Sequence, residues 1–139
     1  MRHPSDPVPV RSDQRRWAAP TGCALTVCRG CCCGSTRKHP DVDHAGQVDQ
    51  LRALVGTDHR VRITDDCLDA CERSNVVVVH PSGAGRAAGA RPVWFGFVLD
   101  DSAVDDIAAW VRAGGPGVAP LPDVLDLYVM PAPGPTARR

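Results

Sequence analysis

Short apolar runs alternate with polar, glycine-containing turns through the middle of the chain, and this spacing predicts alternating strands and helices. Apolar and β-branched runs predict four strands, over residues 24–27, 60–64, 76–79 and 93–99. Apolar positions at helical spacing predict two helices, one between Asp43 and Gly56 and one between Ser102 and Gly114. The order β-α-β-β-β-α predicts an α/β fold with a mixed sheet flanked by helices.

Local patterns predict where some elements lie and what they bury. Residues 76–79 are four consecutive valines, and a strand that is apolar on both faces is typical of the centre of a sheet. Ser102, followed three residues later by Asp105, resembles a capping box at the start of the last helix. Four aromatic side chains are expected in the core: Trp94, Phe95, Phe97 and Trp110.

Proline and scattered charge without periodicity mark both ends of the chain. Residues 1–22 are predicted to form a disordered leader. Residues 116–139 contain six prolines and are predicted to form a flexible tail, within which residues 124–129 have the pattern of a short strand. The predicted folded domain therefore spans residues 23–115.

Charge and hydropathy exclude several classes of protein. Sixteen basic residues balance sixteen acidic ones, which is not the basic surface typical of nucleic-acid binding. No apolar run approaches the ~18 residues of a membrane-spanning helix, and the first thirty residues show no secretory signal. We therefore expect a cytoplasmic protein without a nucleic-acid or membrane partner.

The cysteines indicate metal or redox chemistry. Their number is seven, and an odd number in a cytoplasmic chain argues against a disulfide framework. Six of them follow predicted strands: Cys28, Cys31, Cys32 and Cys33 after the first, Cys67 and Cys71 after the second. Loops at strand ends can direct thiolates to one point, and a [2Fe–2S] cluster needs four of them. Cys23 precedes the first strand and is assigned no role.

The segment from Cys67 to Val79 resembles the second ligand segment of the thioredoxin-like [2Fe–2S] ferredoxins. It reads Cys67-Leu68-Asp69-Ala70-Cys71, then a short polar stretch, then an apolar strand. It is also similar to the corresponding segment of the ferredoxin-like small subunit of NADH:quinone oxidoreductase, whose first pair has the C-x4-C spacing of Cys28 and Cys33. The resemblance covers roughly residues 24–113 and implies a thioredoxin-like fold.

The resemblance also implies a function. The [2Fe–2S] cluster would be held by Cys28, Cys33, Cys67 and Cys71. The protein would carry single electrons between redox partner proteins rather than act as an enzyme. A homodimer is possible, since members of that family are often dimers.

Charged residues flank these candidate ligands. Arg29 and Arg73 stand beside them in the sequence, where positive charge favours the reduced state of a cluster. An acidic group around the second pair opposes this effect; its members are Asp65, Asp66, Asp69 and Glu72. That group is either a docking surface for a basic redox partner or an ordinary solvated loop.

Alternative ligands and metals remain open at this point. Cys31 or Cys32 can replace Cys33, because the three cysteines are consecutive. A zinc site with four cysteine ligands has the same ligand count and would make the protein a binding or regulatory module. His39 and His44 are further candidate zinc ligands.

A thiol-disulfide oxidoreductase is the third functional alternative. It would use Cys28 and Cys31, a C-x-x-C pair after the first strand. Pro92, which precedes a predicted strand, resembles the proline that faces such a pair.

Overall fold

The fold is described by a computed structural model that covers residues 22–30, 32–65, 68 and 70–133. Five strands lie within these residues: β1 (Ala24–Cys28), β2 (Arg60–Thr64), β3 (Val77–His80), β4 (Val93–Phe95) and β5 (Val129–Met130). Three α-helices accompany them: α1 (His44–Val55), α2 (Gly83–Ala87) and α3 (Asp101–Arg112). Two short 3₁₀ helices span Cys71–Arg73 and Asp123–Leu125.

The strands form one mixed sheet in the order β2-β1-β3-β4-β5. β1 runs parallel to β2 and antiparallel to β3, and the remaining pairs, β3–β4 and β4–β5, are antiparallel. The parallel pair is joined by α1, as a parallel connection requires. The predicted α/β class with a mixed sheet is confirmed.

The two long helices lie on one face of the sheet. α1 and α3 contact each other, and their apolar residues join those of the strands in the main core. Leu25, Val27, Val77, Val79 and Phe95 face these helices. Each of the two helices has twelve residues, and no helix in the described part of the chain is both long and apolar enough to cross a membrane.

The opposite face of the sheet holds a second, smaller apolar cluster. Because side chains alternate along a strand, Val76 and Val78 point away from the helices while their neighbours point towards them. They lie in this cluster together with Cys28, Cys33, Ala70 and Met130. All four valines of residues 76–79 are buried, so β3 is the central strand that the sequence predicts.

Helix caps follow the sequence at α1 and differ from it at α3. The Asp43 carboxylate accepts the Gly46 N–H at 2.9 Å, as predicted, and Gly56 follows the helix with φ of 77°. At α3 the cap is Asp100, whose carboxylate accepts the Ala103 N–H at 3.0 Å. The prediction of Ser102 as the cap was wrong, because Asp100 provides the same type of acceptor two residues earlier.

Strand β4 is shorter than predicted and ends at Phe95. The N–H groups of residues 96–98 bond to backbone carbonyls outside β3, and that of Phe97 bonds to the Arg73 carbonyl at 2.7 Å. Phe97 has φ of 57°, a left-handed conformation that a bulky residue rarely adopts. Its side chain is 48% exposed, so the prediction of a core aromatic fails there. Phe95 and Trp110 are buried and pack edge to face, with their ring centroids 5.8 Å apart.

Helix α2 lies between the third and fourth predicted strands, where the sequence predicts no helix. The Ser82 hydroxyl caps it by accepting the Gly85 N–H at 3.1 Å. A Cβ at Gly85 would collide with the carbonyl oxygen of Pro116. The five-residue segment Gly83–Ala87 contains two glycines and has a low helix propensity, so tertiary packing rather than propensity determines this helix.

The proline-rich segment after residue 115 packs on the domain as far as β5. Leu125 is fully buried in the main core, and the Trp110 Nε1–H donates to the Ala119 carbonyl at 3.0 Å. β5 then extends the sheet by pairing with β4. Residues 116–133, predicted to belong to a flexible tail, therefore form part of the hydrophobic core, because their apolar side chains pack beside α3. Residues 1–21 and 134–139 lie outside the described residues.

Shortening Leu125 tests this contribution. We expect Leu125→Ala to lower the free energy of unfolding by about 2–5 kcal/mol, because it leaves a cavity in the core. Leu127→Ala is the matched control, since Leu127 is 87% exposed and its loss should cost less than about 0.5 kcal/mol. Urea denaturation measures both. Equal, small effects of the two substitutions would show that residues 116–133 do not support the fold.

Candidate metal centre

Cys28 and Cys33 form a buried pair of sulfur groups at the end of β1. Cys28 is the last residue of that strand, and a turn closed by the Cys33 N–H to Gly30 O bond of 3.1 Å brings Cys33 back beside it. The two side chains are 1% and 3% exposed. Their sulfurs share a hydrogen bond.

Leu68 and Ala70, the two described residues between Cys67 and Cys71, lie next to this pair. The backbone N–H of Leu68 donates a hydrogen bond to the Cys28 sulfur. Ala70 and Leu68 also pack in the same apolar cluster as Cys28 and Cys33. The structure therefore brings together the first predicted ligand pair and the backbone of the segment that contains the second.

The second predicted pair itself is only partly described. Cys67 lies outside the described residues, as does Cys31. Cys71 begins the 3₁₀ helix Cys71–Arg73, which the Arg73 N–H to Ala70 O bond of 2.9 Å closes, and its side chain is not described. Within the described residues, no three side chains of the metal-ligating types converge.

The surroundings of Cys28 favour the thiolate. The hydrogen bond from the Cys33 thiol lowers the pKa of Cys28 most, burial acts in the opposite direction, and the N–H groups of Gly30 and Leu68 and the charge of Arg29 lower it further. The result is a pKa of about 6 instead of 9.0. Since the thiolate is the form that binds metals, Cys28 is prepared for that role at neutral pH.

A chain of buried polar groups holds the loop that carries Cys33. The Asn75 Oδ1 accepts the Gly34 N–H at 2.8 Å, and the Asn75 amide nitrogen donates to His44 Nδ1 at 3.0 Å. The His44 Nε2–H donates to the carbonyl of His39 at 3.2 Å, which assigns the neutral tautomer with its proton on Nε2. Asn75 thus links the loop after β1 to the segment before β3 and to α1.

The same contacts decide the role of the two histidines. Both ring nitrogens of His44 are used in hydrogen bonds inside the protein, so His44 is not available to a metal. The Nε2 of His39 bonds to the Ser74 hydroxyl at 3.0 Å. Both histidines therefore act as supports of the loop, and sequence spacing alone did not reveal this role.

Cys32 and Cys23 differ from the buried pair in their surroundings. Cys32 is partly exposed whereas Cys33 is buried against Cys28, which favours Cys33 as the partner. Cys23 precedes β1, roughly 17 Å from Cys28 at the rise of a strand. Burial raises the pKa of Cys23, and its thiol donates to the Gly114 carbonyl at 3.4 Å. Cys23 is thus a core residue, in keeping with the absence of a predicted role.

Pro92 does not face the cysteines. Val93 pairs with Val79, which pairs with Leu25, so Pro92 lies beyond Leu25 at the end of the sheet away from Cys28. The resemblance to the proline of a thiol oxidoreductase was therefore wrong.

Comparison with known proteins found no match: no family model, no curated protein and no solved structure matches this chain. The fold and site define a small mixed α/β domain with a buried cysteine pair at the end of β1, an inner strand of the sheet. Any function must therefore be argued from the chemistry of that pair.

The lowered pKa of Cys28 predicts a pH dependence of the metal-free, reduced protein. A depressed pKa contributes stability that is complete above the unfolded value near 9.0 and is lost as the pH falls through about 6. We expect the difference in free energy of unfolding between the wild type and Cys28→Ser to grow as the pH rises from 6 to 9. Urea denaturation in a phosphine reductant measures it.

Cys23→Ser provides the control for this series, because burial shifts the pKa of Cys23 in the opposite direction. Its difference from the wild type should not grow over the same range. A constant difference for Cys28→Ser would contradict a thiolate at position 28.

Proposed function

We propose that this protein is a one-electron carrier with a [2Fe–2S] cluster held by Cys28, Cys33, Cys67 and Cys71. The observation that supports this most is the hydrogen bond from the Leu68 N–H to the Cys28 sulfur. It supports the proposal because Leu68 stands between Cys67 and Cys71 in the sequence, and a four-thiolate cluster would need both cysteine pairs close together.

The arrangement of the chain supports a thioredoxin-like fold for this carrier. A β-α-β unit (β1, α1, β2) is followed by an antiparallel pair (β3, β4) and a closing helix (α3). This is the arrangement that the sequence resemblance implies. Helix α2 and strand β5 are additions to it.

The described residues fit the proposed cluster. Cys28 is buried, and its surroundings favour the thiolate form. Its sulfur accepts hydrogen bonds from the N–H groups of Gly30 and Leu68. Hydrogen bonds to sulfur and exclusion of water are among the factors that set the potential of such centres. When bound, the cluster would accept and release single electrons, while the residues around it position the thiolates and exclude solvent.

The remaining parts of this function follow from the same resemblance. The carrier would work in the cytoplasm, exchange electrons with redox partner proteins and catalyse no bond chemistry itself. A homodimer belongs to the same proposal. Exposed Asp65 and Glu72 border the second cysteine segment, on the surface that a partner would approach.

The first test is the metal content and spectrum of anaerobically purified protein. About two iron and two sulfide per chain, visible bands that bleach with dithionite, and a spin-half EPR signal after reduction are expected. Colourless protein with one zinc would replace the proposal with a zinc-binding module. Protein without any metal after reconstitution would leave the thiol chemistry of Cys28 and Cys31 as the remaining function.

Single substitutions test the ligand assignment. We expect Cys33→Ser to abolish or change the cluster spectrum and Cys32→Ser to leave it intact, because only Cys33 is buried against Cys28. Cys67→Ser and Cys71→Ser should have the same effect as Cys33→Ser.

Cys23→Ser is the control for loss of a thiol elsewhere, and its spectrum should match the wild type. An unchanged spectrum in Cys67→Ser would show that the assignment is wrong. Iron content and visible absorption after anaerobic reconstitution are the measurements.

A further inference from the structure

Arg29 directly follows Cys28, and its side chain folds back beneath the cysteine loop. Its guanidinium donates three hydrogen bonds: to the Cys28 carbonyl at 2.8 Å, to the His44 carbonyl at 3.0 Å and to Gln47 Oε1 at 2.9 Å. Its backbone N–H donates to the Thr64 carbonyl at 2.8 Å. Arg29 is therefore held by three elements, β1, β2 and α1.

The loop closes over this side chain at Gly34. Gly34 has φ of 75°, and a Cβ there would collide with Cδ of Arg29. On the other side, the Gln47 amide nitrogen donates to the Val98 carbonyl at 2.9 Å, which fixes the acceptor of Arg29 in turn. The guanidinium is thus half-buried and confined to one position.

The charge of this guanidinium is not neutralised by its hydrogen-bond partners, because all three acceptors are uncharged oxygens. The guanidinium lies against the backbone carbonyl of Cys28, and the side chain packs against Gly34, the residue that follows Cys33. Burial lowers the pKa of Arg29, whereas the charges of Cys33 and Cys28 raise it. Arginine nevertheless stays protonated at all ordinary pH values. A permanent positive charge is therefore held next to the chain at Cys28 and at the loop of Cys33, in a partly desolvated position where salt screens it little.

We propose that Arg29 is the fixed counter-charge of the Cys28–Cys33 pair and raises the reduction potential of the metal centre bound there. The inference rests on the proposed function. If a cluster is bound there, its reduction by one electron from a redox partner protein would break no bond and move no proton, and would add one unit of negative charge. A positive charge held nearby stabilises that product more than the oxidised form.

Arg29 and Arg73 both lie close to candidate ligands in the sequence, but their hydrogen bonds in the structure differ. Among the described residues, the hydrogen bonds of Arg73 are made by its backbone: its N–H donates to the Ala70 carbonyl, and its carbonyl accepts the Phe97 N–H. Arg29, in contrast, has its charged group itself fixed by hydrogen bonds to the Cys28 carbonyl and to Gln47 Oε1. We therefore assign the potential-setting role to Arg29.

Potentiometric titration of the reconstituted protein, followed by visible absorption, tests this role. Arg29→Gln removes the charge and keeps a polar side chain. At the midpoint potential of the wild type, we expect the ratio of reduced to oxidised centre to fall about tenfold, which is about 59 mV for one electron. Arg37→Gln is the matched control, because it removes the same charge from an exposed position of the same loop and should change the ratio less than about twofold.

Two further variants separate charge from support of the loop. Arg29→Lys keeps the charge with fewer donors, and its potential should stay close to that of the wild type. Gln47→Glu leaves Arg29 in place and puts a carboxylate at the acceptor position 2.9 Å from the guanidinium, so it should lower the potential even if Arg29→Gln does not fold.

The outcomes distinguish this inference from the function on which it rests. A centre whose potential is the same in the wild type, Arg29→Gln and Gln47→Glu would overturn the role of Arg29 and leave the electron carrier standing. Equal shifts in Arg29→Gln and Arg37→Gln would also overturn it, because they would reflect net charge alone. A wild type that binds no iron–sulfur centre would overturn the proposed function itself.

Discussion

The site depends on the pairing of β1 along both of its edges, because this pairing determines where the Cys28 sulfur lies. β1 is parallel to β2 and antiparallel to β3, and the bonds continue to the residue that enters the loop, with the Arg29 N–H on the Thr64 carbonyl. A sulfur at the end of a strand paired on both sides has little freedom to move. Cys33 and Leu68, which lie outside the strands, must therefore approach it.

Burial raises the pKa of the Cys28 thiol and hydrogen bonding lowers it, and the effect of hydrogen bonding is the larger. Desolvation disfavours a thiolate, yet the hydrogen bond from Cys33, two backbone N–H groups and the Arg29 charge together bring the pKa of Cys28 to about 6. Thiolates of redox proteins are often stabilised by a helix N-terminus. Here residues 34–43 separate the cysteines from α1, and the guanidinium of Arg29 supplies the positive charge instead.

The hydrogen bonds of Asn75 and its polar neighbours fix the loop that carries Cys33. In the described part of the chain, every buried side-chain nitrogen and oxygen has a hydrogen-bond partner. Each such bond contributes about 1 kcal/mol, and a partner left unsatisfied costs about 1–3 kcal/mol, so the loop positions are strongly coupled to the helix. Asn75 is the point at which both cysteine segments meet α1, through Gly34 on one side and His44 on the other.

Sequence patterns were sufficient wherever local chemistry decides the structure. Four valines predict a central strand because only a doubly covered strand is apolar on both faces, and Asp43 predicts the start of α1 because its carboxylate satisfies a free N–H group. Phe97 was misplaced because its exposure follows from a left-handed backbone bonded to Arg73. Helix α2 was missed because it forms against Pro116, more than twenty residues away.

By itself, the sequence determined the class of the fold, the order of its main elements and the two loops in which the cysteines lie, since these follow from periodicity and from residue types. The tertiary structure decided which groups act together. It buried Cys33 with Cys28 and left Cys32 partly exposed, bonded His39 to Ser74 and His44 to Asn75, and fixed the guanidinium of Arg29 between the Cys28 carbonyl and Gln47. It also drew the proline-rich segment into the core through Leu125. These outcomes depend on contacts between residues distant in the chain, and such contacts leave no periodic signal in the sequence.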